Sequence, residues 1–368
     1  MILTARRLRR TCMFCNGWTA EARVSAPMAS PCAGPSDCLG LPNASSSTHG
    51  VSAPEWSSRA TYVSYFRARP GDYYPHWGGA TGFASRLVSA AKRHASFAAV
   101  VDVGCNTGEW SRAWLGRDGG GGRDKTGMLL CLEPVPALAA ATKKRLSVLP
   151  GGDRVHVLNL ALSNVSGTQP IFGLPADSRF ASSQTGAGLS KAPSEGSHVE
   201  LGVVPVRTLD SVLRSWRLLS GGRLLVKIDT EGFDVHVLAG AACALRSGAI
   251  DVLQLEWNRR KLRSAAPACV TLRRVAVLLE QLGYEAYLVG RPYIPLNFGM
   301  WHNSYEAAAL PCPPRCTGDV VALRRDFVGR EAMARELLRP PMPAKGRGSL
   351  TLSRTRTPTG TRGRGRRL

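Results

Sequence analysis

Acidic side chains are scarce in this sequence, and the deficit is uneven. The 368 residues hold 26 Asp and Glu against 48 Lys and Arg, a formal net charge of +22. From Arg339 to Leu368 there are nine Lys and Arg and no acid at all. That stretch is rich in Pro, Gly, Ser and Thr and has no apolar periodicity, which predicts a disordered basic tail over residues 339–368. Long apolar runs are lacking too. None approaches the roughly 20 residues that span a bilayer, which argues against a membrane-spanning chain. Aromatic residues make up only 7%, few for a surface that stacks on bases. Residues 1–54 lack the continuous apolar core of a secretory signal and hold Arg6, Arg7, Arg9, Arg10 and Arg23 against Glu21 and Asp37. Their composition suits a disordered organellar transit peptide or a start site set too far upstream, leaving localisation between cytoplasm and organelle.

Two nucleotide signatures are also missing. No G-K-[ST] follows a glycine loop, which excludes a P-loop, and no G-x-G-x-x-G with its middle glycine is present. The ten cysteines do not form a zinc quartet of convincing spacing. Cys105, Cys131 and Cys243 read as small buried apolar residues of a protein in a reducing compartment, with Cys312–Cys316 as the one candidate disulfide.

What is present is a core. Hydrophobic residues reach 44%, and between about Thr61 and Arg330 apolar β-branched runs alternate with helical spacings. Phe97–Gly104, Gly127–Pro134, Arg154–Leu162, Val203–Val206, Leu224–Asp229 and Asp251–Trp257 read as strands. Val135–Val148, Phe233–Leu245 and Val270–Leu282 read as helices. Strands that are apolar throughout argue a parallel sheet covered on both faces, a doubly wound α/β domain over residues 61–330. Its ligand should lie at the carboxyl ends of the strands. The polar stretch Ser178–Ser197 reads as a mobile loop near that site.

The first strand ends in VVDVGCNTGEW, with Gly104 and Gly108 spaced around Asn106. Glycines there let the backbone turn sharply and approach a ligand. Glu133 ends the second strand, where an acid grips ribose hydroxyls. Asp102 could hold a cationic amino group. Together these suit S-adenosylmethionine, with NAD as the competing cofactor. In LLVKIDTEGFDVHVLAG, Lys227, Asp229 and Glu231 are two apart and share one face of an extended strand. A hydroxyl nucleophile gains from a carboxylate or lysine that accepts its proton. Asp229 is the first candidate, Glu231 the second, and Lys227 a partner that tunes them; a buried structural ion pair is the alternative for Lys227 and Glu231. Glu256 and His302 are candidate substrate-binding residues. Asp229 and Glu256 without a third ligand make no metal site.

The segments DVGCNTGEW, LEPVP, LNLALSNVSG, VPVRTLD, LLVKIDTEGFDVHVLAGA and VLQLEW together resemble the FkbM-type methyltransferases, over about Val100–Trp257. The resemblance implies a mostly parallel, seven-stranded, Rossmann-like sheet. It implies an S-adenosylmethionine-dependent methyltransferase, usually acting on a hydroxyl oxygen of a sugar or small metabolite. It places Asp102, Gly104, Asn106 and Gly108 at the cofactor, Glu133 at its ribose, and Asn159, Ala161 and Leu162 near its adenine. A nucleic-acid-binding or RNA-modifying protein that uses its basic tail is the alternative, and an NAD-dependent oxidoreductase the third reading.

Overall fold

The computed structural model describes residues 83–116, 127–175, 187–189, 198–220, 223–258, 262, 265–267, 269–289, 293–296 and 318–338. The basic tail, the segment 1–54, the GGGG stretch after Asp118, Cys312, Cys316 and His302 lie outside the described residues.

The chain opens with helix α1 (Phe83–His94), whose Leu87, Val88, Ala90 and Ala91 are buried at helical spacing and whose last turn carries Lys92, Arg93 and His94 beside the negative helix end. Strand β1 (Ala99–Val103), helix α2 (Glu109–Leu115), β2 (Met128–Leu132), α3 (Pro136–Ser147) and β3 (Val155–Leu158) follow in βα alternation. Pro136 opens α3, where its missing N–H is no loss.

The chain then leaves the main sheet. The expected third strand over Arg154–Leu162 is in fact two: β3 stays in the sheet, while β4 (Ala161–Leu162) pairs instead with β6 (Val199–Arg207), which also pairs with β5 (Gly167–Gly173). Continuous apolar character could not reveal this change of sheet.

Helix α4 (Leu209–Ser215) starts at Thr208, whose hydroxyl accepts from the Ser211 N–H at 3.1 Å. Next come β7 (Leu224–Ile228), α5 (Asp234–Ala239), α6 (Ala242–Arg246) and β8 (Ile250–Trp257). The single helix expected over Phe233–Leu245 is broken at Gly240. A Cβ on Gly240 would lie 2.3 Å from the Ser163 carbonyl, so the chain passes there at backbone distance. Asp210 secures the restart by accepting from the Cys243 and Ala244 N–H groups at 2.7 and 2.8 Å. Helix α7 (Leu272–Gln281), β9 (Tyr284–Leu288), β10 (Ile294–Pro295), β11 (Gly318–Arg324) and α8 (Arg330–Leu338) complete the order.

The main sheet runs β10-β9-β11-β8-β7-β1-β2-β3. Strands β3, β2, β1, β7 and β8 are mutually parallel, and β11 inserts antiparallel between β8 and β9. The seven-stranded, mostly parallel expectation holds for this body, with the two-residue β10 as an added edge. Every residue of β1, β7 and β8 is buried, because helices cover both faces. Leu209, Val235, Leu245 and Leu272 of α4–α7 share one core with Val101, Val226 and Leu255. Leu87, Trp114 and Met333 of α1, α2 and α8 cover the other face with Val100, Leu225, Val252 and Val321. Among the described residues no helix is long and apolar enough to cross a membrane.

One expectation fails within the core. Cys105 and Cys131 are buried, but as a disulfide with a Cα–Cα distance of 5.6 Å. Cys269 is disulfide-bonded as well. Cys105 follows the glycine turn and Cys131 lies across from Asp102 on β2, so the bridge ties the turn to its neighbouring strand.

Candidate active site

The parallel strands place their carboxyl ends together, and an open cleft lies there, with about 620 Å³ of space when its solvent-filled mouth is included. Gly104 and Asn106 line it from the turn after β1, and Glu133, Pro134 and Leu138 from the end of β2 and the start of α3. Leu160, Ala161 and Leu162 form an apolar wall, and Asp229, Thr230, Glu231 and Phe233 close it from the end of β7. Ala187, Gly188 and Leu189 line it too. Gly188 exchanges two 2.9 Å backbone hydrogen bonds with Phe172, so this part of the Ser178–Ser197 stretch is fixed on β5. The rest of that stretch lies outside the described residues.

Glycine is required at Gly104. Its φ is +72°, and a Cβ would meet the Asp229 carbonyl oxygen at 1.9 Å. The turn after β1 and the end of β7 therefore touch backbone to backbone. Gly108 has a different task. It precedes α2 with φ +78° and packs on Thr142 and Leu146 of α3, and it is not among the cleft-lining residues.

Glu133 is only 4% exposed. Its two oxygens accept the Asn106 N–H at 2.7 Å and the Val135 N–H at 2.9 Å. Burial outweighs these bonds and pushes its pKa up to about 7, with Lys227 lowering and Asp102 raising it slightly. Each carboxylate oxygen keeps a second acceptor direction for a hydroxyl. Asn159 acts at one remove: its side-chain amide donates to the Glu133 and Pro134 carbonyls at 2.9 and 2.8 Å, fixing the loop that carries the acid.

Asp102 does not reach the cleft. It is fully buried, accepts from the Ser111 hydroxyl at 2.7 Å and pairs with Lys227 at 3.1 Å. Lys227 also lies 3.3 Å from Asp229 and donates to the Gly104 carbonyl at 3.2 Å. Burial works against its charge, but the two carboxylates prevail and hold its pKa above the ordinary lysine value. Through these contacts Lys227 joins β1, β7 and the glycine turn, the kind of arrangement that the structural ion-pair reading describes.

The shared face expected for Lys227, Asp229 and Glu231 extends only to Asp229. Strand β7 ends at Ile228, and Glu231 takes the left-handed conformation with φ 57°. The turn is held by Asp234, whose carboxylate accepts from the Thr230 and Gly232 N–H groups at 2.9 and 3.0 Å. Glu231 faces the cleft from this turn. Asp234 is buried; burial first, and Asp229 next, raise its pKa to about 6. An acid in the first helical turn is a recognisable capping signal, and the sequence reading passed over it.

Strand alternation puts Asp102, Lys227, Gln254, Glu256 and Asp319 on the α1–α2–α8 face of the sheet, with Val100, Leu225, Val252 and Val321 below them. The Gln254 amide donates to Asp319 at 2.9 Å and accepts from the Trp110 indole N–H at 3.2 Å. Asp319 lies directly across from Glu256. Its pKa is pushed up to about 7 by burial first and by Asp229 next. Burial and the neighbouring acids raise Glu256 well above an ordinary glutamate. Glu256 is 4% exposed and is not a cleft-lining residue. His236 on α5 has its pKa lowered by burial, and its ring lies 5.0 Å from that of Phe233 in a tilted arrangement. Among the described residues no group of three His, Cys, Asp or Glu is arranged to hold a metal ion.

Among the described residues, three acids and no Lys or Arg line the cleft. That lining suits a positively charged ligand with hydroxyl donors and an apolar ring, which is the chemistry of S-adenosylmethionine. A pyrophosphate, as in NAD, would meet the carboxylates of Glu133, Asp229 and Glu231 with no cation among the described lining residues to balance it.

The family model for the methyltransferase FkbM domain matches residues 102–286, half of the chain. No curated protein is matched by the chain. Among solved structures, the chain is similar to methyltransferase FkbM from Methylobacillus flagellatus KT, at 14% identity and a TM-score of 0.36. That match covers 62% of this chain and 43% of the other, so the chain spans less than half of that protein's length. It is also similar to cofactor-bound Rv0187 from MTB, at 14% identity and a TM-score of 0.33, covering 74% and 94% of the two chains. A third similarity is to the plantazolicin methyltransferase BpumL in complex with SAH, at 10% identity and a TM-score of 0.29, covering 73% and 92%. The family match carries the assignment: this chain belongs to the FkbM methyltransferase family.

Proposed function

We propose that the protein transfers a methyl group from S-adenosylmethionine to a hydroxyl oxygen of a sugar or other small metabolite, with Asp229 as the residue that handles the hydroxyl proton. The supporting observation is the position of Asp229. It is the cleft-lining carboxylate at the end of β7, its side chain is 24% exposed, and its charge is held by Lys227 at 3.3 Å.

Bound S-adenosylmethionine supplies an electrophilic methyl on a sulfonium, open to displacement by an oxygen lone pair. Glu133 would take the ribose hydroxyls and Leu160, Ala161 and Leu162 the adenine. Gly104 and Asn106 would present backbone to the amino-acid end. Asp229 orients the acceptor hydroxyl and accepts its proton as the oxygen–carbon bond forms, then releases it to solvent. Alignment of the two reactants supplies most of the rate, as holding them in reactive geometry is worth several kcal/mol. Glu231, on the same rim, contacts the acceptor.

Asp229→Asn keeps the shape and loses the proton acceptor. With radiolabelled donor and a panel of hydroxylated small molecules, its turnover should fall by about 10²–10⁴, with S-adenosylmethionine affinity within a few-fold of wild type. Turnover at the wild-type rate on the same acceptor would remove Asp229 from the chemistry.

A further inference from the structure

Three carboxyl groups stand abreast on adjacent strands: Asp229 just past β7, Glu256 on β8 and Asp319 on β11. Ile228 pairs with Leu255, which sets Asp229 level with Glu256, and Glu256 pairs directly with Asp319. Neighbouring strands are about 4.8 Å apart. Three negative charges at that spacing, with Glu256 between the others and 4% exposed, repel strongly, so the group is relieved by holding a proton. The question is which carboxyl keeps it.

Geometry decides between the members. Asp229 is the most cleft-exposed and lies 3.3 Å from the Lys227 ammonium, which favours its charged form. Asp319 accepts a hydrogen bond from the Gln254 amide, which also favours a carboxylate. Glu256 is 4% exposed, lies between the two, and is hydrogen-bonded to Asp229. A hydrogen bond between two carboxyl groups requires one proton, and the buried member is the one that gains most from being neutral.

We infer that Glu256 keeps a proton and donates it in a hydrogen bond to Asp229, which makes Glu256 a positioning residue that fixes Asp229 as the charged, acceptor-facing carboxylate. This rests on the role proposed for Asp229. Among the described residues, the titratable groups around Glu256 are Asp229 beyond β7, Asp234 on α5 and Asp319 on β11, with Lys227 on β7. The first three are acids, and all act in the same direction as burial, toward the neutral form. The arrangement resembles the logic of a carboxyl pair sharing one proton, in which one member is kept neutral so that the other carries the charge.

Infrared spectroscopy of the full-length protein reads this proton directly, and needs no acceptor. The probe is the carbonyl stretch of a protonated carboxyl group, followed as a function of pH. At mildly alkaline pH, above the value of about 7 where Glu133 and Asp319 lose their protons, wild type should retain one such band. Glu256→Gln should remove it. In Asp229→Asn the band should move in frequency and disappear at lower pH, because its acceptor has lost its charge. No band in wild type, a band that survives Glu256→Gln, or one that ignores Asp229→Asn would each overturn the assignment. The role of Asp229 has a separate readout. Wild-type turnover by Asp229→Asn, together with a band that responds to both substitutions as expected, would sink the proton-handling step and leave the pair standing.

Discussion

Glu133 and Lys227 show two outcomes for a charge taken out of water. Glu133 accepts two backbone N–H groups and still has its pKa raised to about 7, so it is ready to change charge when a ligand arrives. Lys227 is caught between Asp102 and Asp229 and stays charged. Removing it would leave Asp102 buried without its cation. Lys227→Met should therefore lower stability by about 3–5 kcal/mol, as loss of one partner from a buried pair does, read by urea unfolding. A loss below about 1 kcal/mol would mean that the pair is not structural. These residues were legible in part. An acid at the end of the second strand and an acid–lysine alternation stand out in the sequence. That Asp102 points at Lys227 rather than at a ligand is a matter of register between β1 and β7, which no local pattern carries. Asp234 and Asp319 went unremarked because each looks like a surface acid until the strands are laid side by side.

At the scale of elements, the βα alternation and the parallel strands follow from apolar runs and helical spacing, and both were readable. What escaped were changes of direction forced by tertiary contact. β4 leaves the main sheet after Leu158 to pair with β6, and the break between α5 and α6 falls where Gly240 meets the Ser163 backbone. Gly104 is the sharpest such contact. Gly104→Ala would set a methyl carbon against the Asp229 carbonyl and would add a left-handed strain of about 1–2 kcal/mol. The variant should lose S-adenosylmethionine binding by more than about tenfold and melt at lower temperature. Wild-type affinity and melting in Gly104→Ala would show that the turn does not need the close approach.

For the whole molecule, the net charge of +22 conceals an acidic interior at the strand ends. Glu133, Asp234 and Asp319 have folded-state pKa values of about 7, 6 and 7, all above their ordinary 4.5 and 3.8. The native state thus binds more protons than the unfolded chain between those limits. The stability these groups contribute is complete below about pH 4 and is lost as pH rises through about 6–7. Global repulsion among excess cations acts the other way, growing as pH falls. Comparison with one substituted variant separates the two. Wild type should lose stability relative to Asp319→Asn as pH is raised through about 7, by roughly 1–3 kcal/mol after allowance for partial exposure. A difference that does not change with pH would show that Asp319 titrates normally. Composition alone gave the opposite impression, because nine of the Lys and Arg crowd residues 339–368 of the sequence, while Glu133, Asp234 and Asp319 are far apart in sequence and come together only in the fold.

The central claim is that the acidic cleft between Glu133 and Asp229 holds S-adenosylmethionine, and calorimetric titration of the full-length protein tests it most directly. Wild type should bind, with affinity rising as pH increases through about 7, since the ionised Glu133 is the better acceptor for ribose hydroxyls and the better partner for a cationic ligand. Glu133→Ala should weaken binding by about tenfold or more, equivalent to at least 1.4 kcal/mol, and abolish the pH dependence. Equal affinity in Glu133→Ala, or no binding by a folded wild-type protein, would contradict the assignment of this cleft.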